Sequence, residues 1–383
     1  MKSIEIFNFK NFRHLQIDNL GAVNLIVGRN NSGKSTLLEA ISILASGGGI
    51  GWLKKILEIR GWNPDFPDPF NEDVRSLGRD IVCSLYHGRD FEEFKRVPII
   101  LRSSGSILDS EEQSSIEIQL VEFMEVYVTD ENGMRFNKLV LTDKVSDSDR
   151  IVSSEPSIGL SISSNESKSI LQLDSFFYRK SFSGEKYPSF EFVKTADFTS
   201  SKNSALFDKI ALSPLEDILI DALRIIDPHI TGINFLNDDS RSYAGAQRSS
   251  DLRVPFVVCD NMKGKHRLSA MGDGINRILT IVLSMLNCKD GILLLDEFEN
   301  GLHYSVQTAL WTLICHLAKD LNIQVFATTH SKDCINSFLS AVDSDADNAR
   351  LIRLEKRKDK EVAVVYDDID ELDYISKNDI ETR

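Results

Sequence analysis

The sequence predicts an α/β protein in which helices cover a parallel sheet and a β-rich segment interrupts it. Three observations carry that expectation. An apolar run at 23–27 leads through a glycine-rich turn into a helical pattern, and the last third of the chain alternates apolar strands with helices. Between them lies a long stretch of β-branched, alternating residues.

Taken in order, 4–9 and 15–17 alternate as strands, 23–27 is a buried strand, and 34–44 is a helix closed by the glycines at 47–51. Residues 52–59 read as helix and the Asn/Asp/Pro-rich 63–70 as a loop. From 97 to 178 the pattern is that of antiparallel strands, with a turn at Glu131-Asn132-Gly133. Within it the serine- and aspartate-rich 143–169 is expected to be a long loop. The spacing at 206–226 predicts one amphipathic helix, stopped before Asp227-Pro228. Strand 254–259, helix 274–287, strand 291–295, helix 303–321, strand 323–327 and helix 332–339 then follow as a parallel sheet with its covering helices. A hairpin of 351–354 with 361–366 and a short helix at 368–375 end the chain. The expected units are an N-terminal lobe 1–96, a mixed β-rich and helical insertion 97–253, a C-terminal lobe 254–345, and a tail 346–383.

Composition narrows the class. With 42% hydrophobic and 27% charged residues the chain can bury a substantial core. Its 44 basic and 58 acidic residues leave a net charge of −14, which argues against coating nucleic acid or an anionic membrane over the whole surface. The cations between Lys54 and Arg102, including Arg60, Arg75 and Arg79, alternate with acids, and Arg353, Lys356, Arg357, Lys358 and Lys360 fall in the expected hairpin. Both groups read as solvated mixed surface. The five cysteines form no CxxC pair, so neither a zinc site nor a disulfide framework is expected, in keeping with a reducing cytoplasm. No run reaches the ~18 apolar residues of a membrane span.

Two motifs carry chemistry. GRNNSGKS at Gly28–Ser35 follows an apolar strand and opens a helix, the context in which G-x-x-x-x-G-K-[ST] binds phosphate. Gly28 and Gly33 let the backbone curl around the phosphates, Lys34 places charge on the β/γ oxygens, and Ser35 offers a hydroxyl to Mg²⁺. Asn30, Asn31, Ser32 and Thr36 complete the expected nucleotide-binding set. GILLLDEFEN at 291–300 is an apolar strand delivering two adjacent carboxylates, the form of a Walker B element. Asp296 is expected on the Mg²⁺ shell, and Glu297 on the water poised at the γ-phosphate.

LSAMGDG at 268–274 precedes that strand by about a helix, and ATTHS at 327–331 ends the next strand with a histidine. In this order the sequence resembles the ABC-type ATPase clade that contains RecF, SMC and OLD-family proteins, over the first ~45 residues and 254–339. The resemblance implies an Mg²⁺-dependent ATPase head that forms a head-to-tail homodimer with ATP between the subunits. Ser269 and Gly272 would contact the partner's nucleotide, Asn300, Gly301 and His303 would lie across the interface, and His330 would sense the γ-phosphate. Met271 and Asp273 depart from the usual LSGGQ. Asn11-Phe12-Arg13 is similar to the clade's N-terminal element, with Arg13 expected at the nucleotide, whereas no Q-loop glutamine is evident near Tyr86–Asp90. The other histidines, His14, His87, His229, His266 and His316, read as structural.

The same resemblance implies a cytoplasmic protein that controls a separate effector, such as a nuclease or toxin, in prokaryotic antiphage defence. The alternative is a RecF-like DNA-maintenance ATPase that binds DNA directly. A non-catalytic scaffold disagrees with retention of both Asp296 and Glu297, and a transporter subunit with the long β-rich insertion. The stretch 340–383 is too short for the Toprim nuclease domain of some OLD proteins, so Asp367, Asp368, Asp370 and Glu371 read as an acidic helix start.

Overall fold

The computed structural model describes residues 1–58, 80–105, 113–129, 134–145, 150–151, 156–165, 167–172, 189–194, 200–237, 253–342, 348–358 and 360–367. The expected loop at 63–70, the turn at 131–133, the helix at 368–375, the residues 173–178, and Arg60, Arg75 and Arg79 lie outside them.

A hairpin of β1 (Ser3–Phe9) and β2 (Phe12–Ile17) leads to β3 (Val23–Gly28), which is buried throughout, and into helix α1 (Lys34–Ala45). Helices α2 (Ile50–Glu58) and α3 (Phe91–Arg96) follow. Then come β4 (Ile99–Ser104), β5 (Gln113–Thr129), β6 (Arg135–Leu141), β7 (Arg150–Ile151), β8 (Ser157–Ser164) and β9 (Lys168–Gln172). These extend the N-terminal hairpin into an antiparallel sheet of order β2-β1-β4-β5-β8-β9, with β6 and β7 also on β5.

Of the expected loop at 143–169, the described residues are therefore largely strand. Ile158, Leu160 and Ile162 alternate with Gly159, Ser161 and Ser163, and Leu160 and Ile162 point into the core while the whole strand pairs with β5. A serine-rich composition concealed a period of two.

Strand β10 (Phe190–Val193) is followed by helices α4 (Ser200–Ile210) and α5 (Pro214–Leu223), so the single helix expected at 206–226 is two. Leu212 adopts φ 60°, Ser213 caps the second helix through Leu215 N, and Pro214 occupies its first turn, where no backbone N–H is needed.

Strands β11 (Ile230–Asn237), β12 (Arg253–Cys259) and β13 (Lys265–Arg267) form their own antiparallel sheet. The expected strand at 254–259 thus exists but does not join the parallel sheet, because β11 and β13 take both of its edges.

The remaining elements are α6 (Asp273–Leu286), β14 (Ile292–Leu295), α7 (Tyr304–Asp320), β15 (Gln324–Thr328), α8 (Lys332–Val342) and the hairpin β16 (Ala349–Arg357) with β17 (Lys360–Tyr366). The central sheet has the order β10-β14-β15-β3-β16-β17 and is parallel except at its last pair. One of its strands, β10, comes from the middle of the chain, where four residues were too short a run to assign.

This sheet divides two cores. Val23, Leu25, Val27, Leu293, Leu295, Val325 and Ala327 face helices α4 to α8. Ile26, Leu294, Phe326 and Ile352 face α1 and the antiparallel sheet. The alternation is the period-two pattern of strands covered on both sides. Helix α1 is buried almost all round, and its Glu39 is buried with Lys10 as an ion pair. Among the described cations of these two groups, Lys95 pairs with Glu122, Arg102 with Glu5, and Arg353 and Arg357 with Glu355.

Candidate nucleotide site

The site lies at the carboxyl ends of β14, β15 and β3, three adjacent parallel strands. After β3 the chain turns through the phosphate loop and enters α1 without a side-chain cap and with no acid in the first turn. The first N–H groups of that helix are thus left for an anion. Gly33, at φ 96°, could not be replaced without strain, since a Cβ there would stand 2.5 Å from the Phe12 ring. A Cβ on Gly28 would meet the Leu354 carbonyl oxygen at 2.5 Å and Ser32 Oγ at 2.7 Å. Both glycines are required by the close approach of neighbouring chain.

Lys34 Nζ donates to the carbonyl oxygens of Gly28 (2.8 Å) and Arg29 (3.1 Å), which folds the side chain back over the loop. Burial pushes its pKa down, while Glu299, Asp296 and Glu297 hold the proton on. Ser32 Oγ is enclosed and has no hydrogen-bond partner among the described residues. Asn30, Asn31 and Ser35 are exposed along the loop, and Thr36 is buried in the first turn of α1.

Across from the loop, Asp296 Oδ1 accepts from Ser35 Oγ at 3.0 Å and from Thr328 Oγ1 at 2.7 Å. Glu297 N donates to Thr328 Oγ1 (2.9 Å), and Phe298 N to the Thr328 carbonyl (2.9 Å). These bonds hold Glu297 at φ 49°, a left-handed conformation that costs about 1–2 kcal/mol for a residue with a Cβ. From beneath, the fully buried Arg277 of α6 donates to the carbonyl oxygens of Asp296 (2.8 Å), Glu297 (3.0 Å) and Lys194 (3.1 Å). His330 follows β15, and its backbone N–H donates to Glu299 Oε1 at 3.0 Å.

A hydroxyl and a carboxylate oxygen 3.0 Å apart at the mouth of a phosphate loop suit a hard cation. Ser35 and Asp296 are the residues that fit Mg²⁺. Uncapped helix N–H groups, Lys34 and the enclosed Ser32 hydroxyl suit the phosphates.

Sequence reasoning named Asp296, Glu297, His330, Lys34 and Ser35, and the fold gathers all five. It missed Thr328, Arg277 and Glu299. At the N-terminal element, Asn11 Nδ2 reaches the Asn31 carbonyl at 3.4 Å and Phe12 lies under Gly33, while Arg13 is exposed. His14 stacks on Phe7, His87 Nδ1 lies 2.9 Å from the Lys10 carbonyl, and His229 pairs with Asp260.

Ser269 and Gly272 are exposed at the turn into α6, where Gly272 has φ 100°. Asn300, Gly301 and His303 are exposed at the start of α7, which His303 caps through Ser305 N. The two segments touch, since a Cβ on Gly274 would lie 3.0 Å from the Gly301 carbonyl oxygen.

A phosphate loop, strand-end carboxylates on the neighbouring parallel strands, and a histidine at the next strand end define an ATPase of the RecF/SMC-like ABC type. The chain belongs to the AAA ATPase domain family, whose model matches residues 1–208 and 260–335. It is 26% identical over 372 residues to an ATP/GTP phosphatase of Helicobacter pylori, covering 92% of this chain and 91% of that one. A shorter match, 46% over 48 residues, is to the DNA replication and repair protein RecF of Heliobacterium modesticaldum, 12% of this chain and 13% of RecF. The fold is similar to an SMC head crystallised with the C-winged helix domain of ScpA, at 12% identity and a TM-score of 0.52 over 96% of this chain and 98% of that one. The protein is an ATPase. No helix among the described residues is long and apolar enough to cross a membrane.

Proposed function

We propose that the protein hydrolyses ATP with Mg²⁺ in a head-to-tail dimer, and that closing and opening of the dimer controls a separate effector, a nuclease or toxin, in antiphage defence. The observation that carries the hydrolytic part is the bonded set Ser35–Asp296–Thr328–Glu297, which ties the phosphate loop to the carboxylate turn. Lys34 and the α1 N-terminus bind the β/γ phosphates, with Asn30, Asn31, Ser32 and Thr36 along the same loop and Arg13 at its edge. Ser35 and Asp296 hold the metal, which when bound neutralises charge on the phosphate oxygens. Glu297 orients the attacking water and takes its proton, from a turn fixed by Thr328 and Arg277. His330 senses the γ-phosphate.

The dimer rests on the exposed pair of segments around Ser269 and Gly272 and around Asn300, which form one surface joined at Gly274. Its test is complementation. Ser269→Arg blocks the contact to a partner's nucleotide and Lys34→Ala disables binding, so each protein alone is inactive. Mixed, they form a heterodimer in which one site carries both lesions and the other neither. Partial ATPase activity is expected on mixing, and full activity of Ser269→Arg alone would remove the dimeric site. Co-purification identifies the effector, and ATP-dependent retention of DNA by the purified protein would favour a RecF-like role instead.

A further inference from the structure

We propose that Arg267 is a nucleotide-binding residue acting across the dimer: its guanidinium, on strand β13 beside the Ser269 turn, pairs with phosphate of the ATP held by a second copy of the chain. This rests on the head-to-tail reading of the assembly.

Strand β13 runs directly into the turn Leu268–Met271, so the register of the strand fixes which side chains lead into the turn from its exposed face. Lys265, His266 and Arg267 lie opposite Val258, Val257 and Phe256 of β12. Val257 is buried, whereas Val258, Lys265 and Arg267 are exposed, which puts Arg267 on the outer face of the three-stranded sheet. Leu268 is then fully buried, and Ser269 is exposed again. The arginine and the serine thus flank one anchored leucine, and both open to solvent. Two residues span at most about 7 Å of chain, so a phosphate bound at Ser269 is within reach of a side chain as long as arginine.

That phosphate belongs to another chain. Val257 and Leu268 pack in the core beneath helices α4 to α8, while helix α1, which the phosphate loop enters, packs in the core on the opposite face of the central sheet. The sheet therefore stands between Arg267 and the loop of its own chain.

Charge and packing suit Arg267 to this contact. Arg267 Cζ lies 6.0 Å and Lys265 Nζ 5.3 Å from the centroid of the Phe256 ring, cation–π contacts that orient both heads without neutralising them. From Lys263 to Arg267 the chain carries three cations, one histidine and no acid, against a net charge of −14 for the whole. Two such chains repel each other as they approach, and the nucleotide between them adds further negative charge. A basic segment at the point of contact offsets both. Arginine in particular presents a planar fork of N–H groups that meets a phosphate with two parallel charge-assisted bonds.

The test measures assembly and turnover in Arg267→Ala, an exposed position whose change should leave urea unfolding of the nucleotide-free protein as in wild type. In a Glu297→Gln background, which binds ATP and hydrolyses it slowly, sedimentation should show an ATP-dependent dimer. Adding Arg267→Ala should weaken that dimer by about 10–150-fold for each of its two sites, the scale of a lost charge-assisted bond. ATP binding at protein concentrations too low for the dimer should be unchanged, because Lys34 remains. Mixing Arg267→Ala with Lys34→Ala then decides whose nucleotide the arginine meets. If it acts across the dimer, the heterodimer holds one site with both lesions and one with neither, and ATPase activity rises above the sum of the two proteins alone. If it acts on its own chain's nucleotide, each site keeps one lesion and mixing gains nothing. Equal dimerisation with and without Arg267, or no gain on mixing where Ser269→Arg with Lys34→Ala does gain, would overturn this inference alone. A Glu297→Gln protein that stays monomeric with ATP would overturn the dimeric reading and this inference with it.

Discussion

Replacing Thr328 by valine tests whether the turn that carries Glu297 is held by one hydroxyl. Thr328 is 1% exposed, and its Oγ1 makes two bonds at once, donating to Asp296 Oδ1 at 2.7 Å and accepting from Glu297 N at 2.9 Å. Valine has nearly the same shape and suits a strand, so packing should be preserved. The lost bond to a carboxylate is worth about 1.5–3 kcal/mol and the orphaned Glu297 N–H about 1–3 kcal/mol, against about 0.8 kcal/mol gained from the extra buried methyl. A net destabilisation of about 2–5 kcal/mol is expected in nucleotide-free urea unfolding. The same hydroxyl holds Glu297 at φ 49°, so the turn should relax and kcat should fall by more than the stability loss explains. Thr328→Ser, which keeps the oxygen, should recover most of both quantities. An unfolding free energy within about 0.5 kcal/mol of wild type, with unchanged turnover, would refute the reasoning.

Lys34→Met should abolish measurable ATP binding by calorimetry in a folded protein, because it removes the loop's cation. It should also alter stability with pH. Burial lowers the Lys34 pKa below its ordinary 10.5, so between the two values the unfolded chain holds more protons and nucleotide-free stability rises with pH; in Lys34→Met urea unfolding that rise should be smaller. Glu297→Gln should keep ATP affinity, since Lys34, Ser35 and Asp296 remain, while steady-state turnover falls about 10²–10⁴-fold; wild-type turnover would assign the water to another group.

The parts of the site legible in the sequence are those written contiguously. The run Gly28–Ser35 specifies turn, cradle and helix start within eight residues, and Asp296-Glu297 follows directly on four apolar strand residues. The same holds for the fold: β3, α1, α7, β15 and the β16–β17 hairpin each carry their own period and end signals. What escaped was set by partners far along the chain. Whether Thr328 or Thr329 faces Asp296 depends on strand parity and register, and both are buried. Glu299 looks like one more turn-forming acid until β15 is laid beside β14 and brings His330 against it.

Arg277 left a signal that could have been used. The helix Asp273–Leu286 carries one cation in an otherwise uncharged run, GINRILTIVLSML, and that cation falls four residues after Asp273 and directly before Ile278 and Leu279, both fully buried. An arginine on a buried face must find acceptors, and strand-end carbonyls are a site's own supply of them. The carbonyls of Lys194, Asp296 and Glu297 end β10 and β14, where the sheet has no further strand residues to pair with them. The guanidinium thus satisfies in one residue what the termination of two parallel strands leaves open, and it does so on the side of the sheet opposite the phosphate loop. That division leaves the solvent side of the strand ends to Lys34, Ser35 and the acids, so the hydrolytic turn is held from the core and read from the surface.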